Sequence, residues 1–478
     1  MNARGVAGMA LTAALLMSGR AQAFDPLFAM RTVPPNPGGD VIPAGQPCTF
    51  AAPGEPLTLV EAVERGLCNN PRTREAWAGV KAQAAAVGVA RAAYLPSITG
   101  NWQEVRDVSS TRVNGHPELD SDTAANVRTE SVTLNWLLFD FGGRAAALRN
   151  ADSLLAAARA TQDAAVQDTF ATVAKDYAAV QAASGELDAA EEIERIAGDS
   201  VVAAQARVDR GVAPVTDALQ AQTKRDEATF NRIRAEGNAK TTLGALASDM
   251  GLDPDVPLVV PPVTATPLPG GDWSESVVQL IDDVKRTHPA VLAAEARYEA
   301  ALAKVAQTRS AGLPSVNLVA KYSRNNQPAS LGLGIPTYPA TGRDAYIGVQ
   351  ISIPFFEGGG RHYEVRQAEA EAERQQAAVD DARQQAALDM WTAWQSLRTA
   401  TQNAAHTEAA VAIARRAFDA AEHRYRAGVG NILELLSTQT ALATAQQHRI
   451  QALADWHTAK LALASKLGRL NMQSIADR

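Results

Sequence analysis

RAAYLPSITGNWQ (Arg91–Gln103) and RSAGLPSVNLVAK (Arg309–Lys321) are one passage written twice. In each, a helix-forming run stops at a Leu-Pro step, where Pro96 or Pro314 disfavours helix for the residue before it. The pattern then changes period. Ile98, Gly100 and Trp102 alternate with Thr99, Asn101 and Gln103, and Val316, Leu318 and Tyr322 alternate with Asn317 and Lys321. Period-two alternation marks a strand lying between two different solvents.

Outward from this passage the duplication continues. Pro71 and Pro289 differ by 289 − 71 = 218, and the same shift relates Ala76 to Ala294, Ala82 to Ala300 and Val87 to Val305. Farther on, at a shift of 217, Gly143-Arg144 matches Gly360-Arg361 and Gly211-Val212 matches Gly428-Val429. A near-constant offset over this span indicates two structural repeats. The reading gives repeat 1 over 57–252, a proline-rich linker over 253–272, repeat 2 over 273–470 and a tail over 471–478. The linker carries Pro254, Pro257, Pro261, Pro262, Pro267 and Pro269, as a stiff non-helical connection would.

Each repeat predicts the same order of elements. A helix over Arg72–Tyr94 precedes the first strand, and a second strand alternates Val132, Leu134, Trp136 and Leu138 against Thr133 and Asn135. Its copy alternates Ile347, Val349, Ile351 and Ile353 against Gly348, Gln350 and Ser352. The reading gives four strands of about 10 residues, the length of transmembrane barrel strands. Four strands cannot close a barrel, and an open edge in lipid leaves backbone groups unpaired, so the barrel must be shared between chains.

Each second strand runs into glycines that read as strand-to-helix hinges, Gly142-Gly143 and Gly358-Gly359-Gly360. A very long helix follows. Val166, Phe170, Val173, Tyr177, Val180 and Leu187 hold 3-and-4 spacing, as do Val411, Ala414, Phe418, Ala421 and Tyr425, which predicts coiled-coil seams. From Arg144 to Arg210 is 67 residues, roughly 100 Å of helix. It ends in a turn at Gly211-Val212-Ala213-Pro214, or at Gly428-Val429-Gly430-Asn431 in the copy, and a helix of about 37 residues returns.

The N-terminus predicts a signal peptide over 1–23: Arg4, an apolar run from Val6 to Met17, and the small-residue box Ala21-Gln22-Ala23. A proline-rich arm over 24–56 follows. Phe24 rather than cysteine follows the box, so lipid acylation is not indicated. Cys48 and Cys68, the only two cysteines, read as a disulfide in an oxidising compartment or as two unlinked thiols. Net charge is −7, which does not suggest a nucleic-acid partner. No run approaches about 18 apolar residues, so a membrane role must come from strands. No enzyme, cofactor or metal signature is present: Gly358-Gly359-Gly360 lacks the Lys-Ser/Thr of a phosphate loop, and the seven histidines are scattered. Glu369–Glu373 reads as a solvated helix face, and Trp391 with Trp394 as helix packing.

With the duplication, the Asn70-Pro71 and His288-Pro289 helix starts, the Leu-Pro-Ser steps and the turns RVDRG (Arg207–Gly211) and RYRAG (Arg424–Gly428), the chain resembles the TolC family of outer-membrane channels. The resemblance implies an all-α coiled-coil α-barrel joined to a transmembrane β-barrel. It implies a homotrimer, with four strands per protomer in a shared 12-stranded barrel and a helical tunnel in the periplasm. Its implied partners are a periplasmic adaptor (membrane fusion) protein, an inner-membrane transporter and outer-membrane lipid. It also implies that Asp217, Glu434 and Tyr425 form a polar latch and acidic constriction at the periplasmic tip. Gly430 stands where a latch arginine is expected, and Ser437 where a second carboxylate is expected. The plain alternative is that Asp217 and Glu434 are ordinary solvated residues near a turn. Three readings of function follow: an exit duct for type I protein secretion, an efflux duct for small molecules, or a coiled-coil surface protein anchored by its strands.

Overall fold

The computed structural model describes residues 25–42, 48–50, 56–261, 276–329 and 338–468. The signal peptide at 1–23, the tail at 471–478 and most of the linker lie outside the described residues. The described elements run α1 (Leu59–Asn69), α2 (Pro71–Ala92), β1 (Ser97–Thr111), β2 (Ser121–Phe139), α3 (Gly143–Asp209) and α4 (Val215–Asp249). The second half repeats them as α5 (Val277–Thr287), α6 (Pro289–Ser310), β3 (Ser315–Asn325), β4 (Gly342–Ser352), α7 (Gly360–Arg426) and α8 (Ile432–Lys466). Both long helices have 67 residues and both returning helices have 35.

The chain divides into two compact units. One holds 82–155 and 296–376 with the N-terminal residues to Thr32, and contains the sheet. Its four strands are antiparallel in the order β1-β2-β3-β4. The register puts Ile98 opposite Leu134, Leu134 opposite Ala320, and Ala320 opposite Ile347. One face of the sheet therefore gathers Ile98, Val132, Leu134, Leu318, Ile347, Val349 and Ile351. The other gathers Thr99, Asn101, Ser131, Thr133, Asn317 and Gln350. The apolar face is bare within the chain: Ile98 is 67% exposed and Ile347 75%.

Two strands differ from the expected length of about 10 residues: β1 has 15 and β2 has 19. They pair with each other from Ser97↔Asn135 to Thr111↔Ser121, whereas β3 reaches only Thr129 of β2. Beyond that point charged residues on both faces (Glu104, Arg106, Asp107, Arg128) interrupt the apolar ones (Val105, Val108, Val127), so hydrophobic alternation could not report it.

The other unit holds 33–81, 156–295 and 377–478. Each repeat contains a short helix that the sequence reading did not predict. Thr58 caps α1 by accepting from the Glu61 amide at 3.2 Å, and Ser276 with Gln279 forms a capping box on α5. Both helices stop before a proline, Asn70 and His288 having ψ of 131°. Asn70 then starts α2 by accepting from the Arg72 amide at 2.9 Å.

Leu57, Val63, Leu67, Val166, Phe170, Val173, Leu246 and Met250 form the repeat 1 core, and Leu280, Val284, Met390, Leu397, Trp456 and Leu463 form that of repeat 2. Each fully buried large apolar side chain in these two belts contributes about 1.5–3 kcal/mol. Leu187, Val411 and Ala414 of the predicted seams are only half-buried. Proline-rich segments pack here too: Gln162 donates to the Pro37 carbonyl, Gln181 to Pro261, and Tyr177 to Leu57 at 2.9 Å. Cys48 and Cys68 are joined, tying the arm to α1. Trp391 and Trp394 stack at 5.8 Å. Of the Glu369–Glu373 run, Glu369 reaches Arg309 of α6 at 2.6 Å while Glu371 pairs with Arg374.

Candidate functional site: the helical turns

Both long helices end by the same device. Gly211 and Gly428 take positive φ (72° and 86°), a conformation that costs an L side chain about 1 kcal/mol or more, and the next amide returns to the helix: Val212 to the Arg207 carbonyl, Val429 to that of Arg424. Pro214 caps α4 in extended conformation, and Asp217 sits half-buried in its first turn, where the helix dipole favours negative charge. Asn431 caps α8 through the Leu433 amide, with Glu434 in the first turn.

Gly430 has a distinct reason to be glycine. A Cβ there would lie 2.7 Å from the Tyr425 amide nitrogen and 2.8 Å from the Arg424 carbonyl carbon. Its own amide donates to the Arg424 carbonyl at 2.9 Å. This turn closes on itself where a long side chain would have to enter.

Tyr425 is 1% exposed and packs with Ile196, Ala218, Phe418, Leu435 and Leu436. Arg207 stacks over its ring, 4.5 Å from the centroid, and donates to its carbonyl at 2.9 Å. The Tyr425 hydroxyl has no hydrogen-bond partner among the described residues. Burial, then the Asp217 carboxylate, pushes its pKa up against the opposing pull of Arg207. Asp217 and Tyr425, from different repeats, are thus brought together, with Arg207 as a third member that sequence reasoning missed. Glu434 stands apart from them and pairs with Arg424 at 2.9 Å, both groups half-exposed. Ser437 donates to the Glu434 carbonyl.

Above the turns, Glu192 binds Arg415 at 2.8 Å and accepts from Gln446, joining α3, α7 and α8. Glu194 pairs with Arg232 at 2.7 Å and accepts from Thr229, joining α3 to α4. At the strand-to-helix junctions, Gly142 and Gly359 have φ of 88° and 80°, while Gly143 and Gly360 are the first residues of α3 and α7. Asp140 caps α3 through the Arg144 amide at 2.7 Å, and Arg361 pairs with Glu357 and Glu364 at the start of α7.

The belt holds an acid pair that the sequence reading did not find. Asp176 of α3 hydrogen-bonds Asp249, the last residue of α4; burial, and then that neighbour, raise the Asp176 pKa to about 7. The copy of Asp249 is Lys466 (466 − 249 = 217), which instead pairs with Asp389 at 3.0 Å. His288, half-buried beside them, has its pKa lowered by burial first and Lys466 second. Among the described residues no group of three or more His, Cys, Asp or Glu could hold a metal ion.

A bare apolar strand face, two open sheet edges and a pair of long helical hairpins define the class: an outer-membrane export duct of TolC type, with its helices in the periplasm. The chain belongs to the outer membrane efflux protein family, whose sequence model matches residues 62–252 and 280–469, one copy per repeat. It is 32% identical to protein CyaE of Bordetella pertussis over 464 residues, covering 97% of this chain and 94% of that one. It is 23% identical to the alkaline protease secretion protein AprF of Pseudomonas aeruginosa, covering 87% and 85%. The fold superposes on the outer membrane protein VceC of Vibrio cholerae with a TM-score of 0.73, at 22% identity, covering 86% of this chain and 96% of that one.

Proposed function

We propose that three copies of this chain close a 12-stranded barrel and a periplasmic tunnel, forming the exit duct of a type I protein secretion system. The observation that carries the trimer is the four-stranded sheet whose edge strands, β1 and β4, have no further partner among the described residues. In lipid such edges cost several kcal/mol per unpaired backbone group, so they pair with the next copy. An inner-membrane transporter and a periplasmic adaptor supply energy and cargo; the duct is a passive conduit and catalyses nothing. Repeats at 57–252 and 273–470, joined by a linker at 253–272, then supply two wedges per chain. Asp217 and Glu434 lie at the periplasmic tip with Tyr425 buried behind them, the turns at Gly211–Pro214 and Gly428–Gly430 are its end, and Gly142-Gly143 with Gly359-Gly360 are the strand-helix hinges.

Protein cargo is supported by the similarity to a protease secretion protein. The family's efflux members favour a second reading, a small-molecule duct. Deleting the gene and assaying secreted proteins alongside drug sensitivity separates them. Lost secretion with unchanged drug sensitivity supports protein export; normal secretion with new drug sensitivity reverses it.

A further inference from the structure

The apolar face of the sheet stops abruptly. Reading its cross-strand rows away from the helices, Ile98–Leu134–Ala320–Ile347 is apolar, Gly100–Val132–Tyr322–Ala345 adds one aromatic, and the next row is Trp102–Glu130–Arg324–Arg343. All four residues of that row are exposed. Beyond it, Glu104 and Arg128 pair at 3.5 Å, and Arg128 lies over the Trp102 ring at 5.9 Å.

The height of the row locates it. Arg324 is nine residues from Ser315 and Arg343 nine from Ser352, where the strands meet the helical end. Nine steps of about 3.3 Å span about 30 Å along the strand. At a tilt of about 40° that is about 23 Å of height, close to the apolar band of about 25 Å on outer-membrane barrels. The row therefore lies at the outer rim of the hydrocarbon, on the lipid-facing side, with Trp102 and Tyr322 at the depth of an aromatic girdle.

Arg324 and Arg343 are directly opposite each other. Like charges in that position destabilise a sheet unless an anion is held between them. Neither guanidinium has an ion-pair or hydrogen-bond partner among the described residues. With Glu130 beside Arg324 the row keeps a net charge of +1 (one Glu, two Arg), and the Glu104–Arg128 pair above it is neutral. Two adjacent guanidiniums present parallel N–H donors that match the oxygens of a phosphate monoester.

We propose that Arg324 and Arg343 form a binding site for the phosphorylated headgroup of an outer-leaflet lipid. Acyl chains lie against Ile347, Val349 and Leu318, and the headgroup phosphate sits between the two guanidiniums. The site rests on the barrel reading, since it needs this face turned to lipid.

The test reconstitutes the purified full-length protein in phosphatidylethanolamine vesicles with increasing diphosphoryl lipid A and measures the midpoint of thermal unfolding and the retained lipid. The wild type is expected to shift upward and retain lipid A, and an Arg324→Gln/Arg343→Gln variant to bind about fivefold more weakly for each arginine removed. Arg343→Lys, which keeps the charge but loses the planar fork, should bind more weakly than the wild type and more tightly than the double variant. Equal binding by the double variant overturns the proposal. An equal shift from inorganic phosphate at matched concentration also overturns it, because the lipid is then not the ligand. Failure to enter vesicles of phosphatidylethanolamine alone overturns the barrel reading instead, so the two failures are distinct.

Discussion

Repeat 1 and repeat 2 share helices of identical length, 67 and 35 residues, and the same glycine turn after each long helix, yet differ in strand length and where the returning helices end. Repeat 1 has the longer strands, the disulfide to Cys68 and an acid pair where α4 ends; repeat 2 has strands of 11 residues, no cysteine and an ion pair where α8 ends. The helix lengths are held because two copies must fit side by side as wedges of one tunnel. The termini are free to diverge, because each is a local capping problem that either copy can solve separately. Asymmetry in the duct therefore belongs to its ends and its belt.

The largest expected effect comes from the covalent asymmetry. Replacing Cys48 and Cys68 together by Ser frees the arm from α1, and closing a loop of about 20 residues is worth about 3 kcal/mol. Thermal unfolding under non-reducing conditions should show a clearly lower midpoint; an unchanged midpoint means the packing of the arm alone holds it.

Next is the turn of repeat 2. Gly430→Ala drives a Cβ into the backbone of Arg424 and Tyr425, at a cost of about 1–3 kcal/mol. The same change at Gly79, where a Cβ meets nothing within 4 Å, should be neutral or slightly stabilising. Equal losses in the midpoint of thermal unfolding at the two sites would remove the steric argument.

The belt asymmetry has a pH signature. The folded-state pKa of Asp176 is raised from 3.8 to about 7, so its contribution to stability is full below pH 4 and is lost as pH rises through 7. Stability should rise as pH falls from 8 to 6, and Asp249→Asn should flatten that slope. Asp249→Lys copies the chemistry of Lys466 and should flatten it likewise. Because burial of Asp176 is the larger cause, part of the slope should survive both variants, whereas a slope that survives Asp176→Asn would place the titration elsewhere.

The smallest effect is at the exposed tip. The Arg424–Glu434 pair is worth about 1 kcal/mol or less, so Glu434→Gln should barely alter stability. Since Arg424 neutralises Glu434, the variant leaves an unpaired arginine from each copy of the chain, and selectivity in planar bilayers should move toward anions. Unchanged selectivity would take Glu434 off the conduction path.

Much of this fold was legible because it is written in periods. Alternation at Ile98–Gln103 and the Gly-Val pairs at 211 and 428 marked strands and turns directly. The helices α1 and α5 escaped because each is only 11 residues long and abuts another helix across a proline, although Thr58-x-x-Glu61 and Ser276-x-x-Gln279 were readable capping signals. The outer part of the β1–β2 hairpin escaped because charged residues break its alternation on both faces. The family resemblance put Asp217 and Tyr425 beside the turns, but Arg207 over Tyr425 and Asp176 against Asp249 depend on contacts between residues far apart in the chain. No spacing rule encodes those.

The central claim is that edge strands β1 and β4 close a conduit between copies of the chain. Single-channel recording on purified protein in planar bilayers, using material whose mass is that of three chains, tests it most directly. The account predicts discrete conductance steps through a trimer; protein that inserts stably as a trimer and passes no ions under any applied voltage would contradict it.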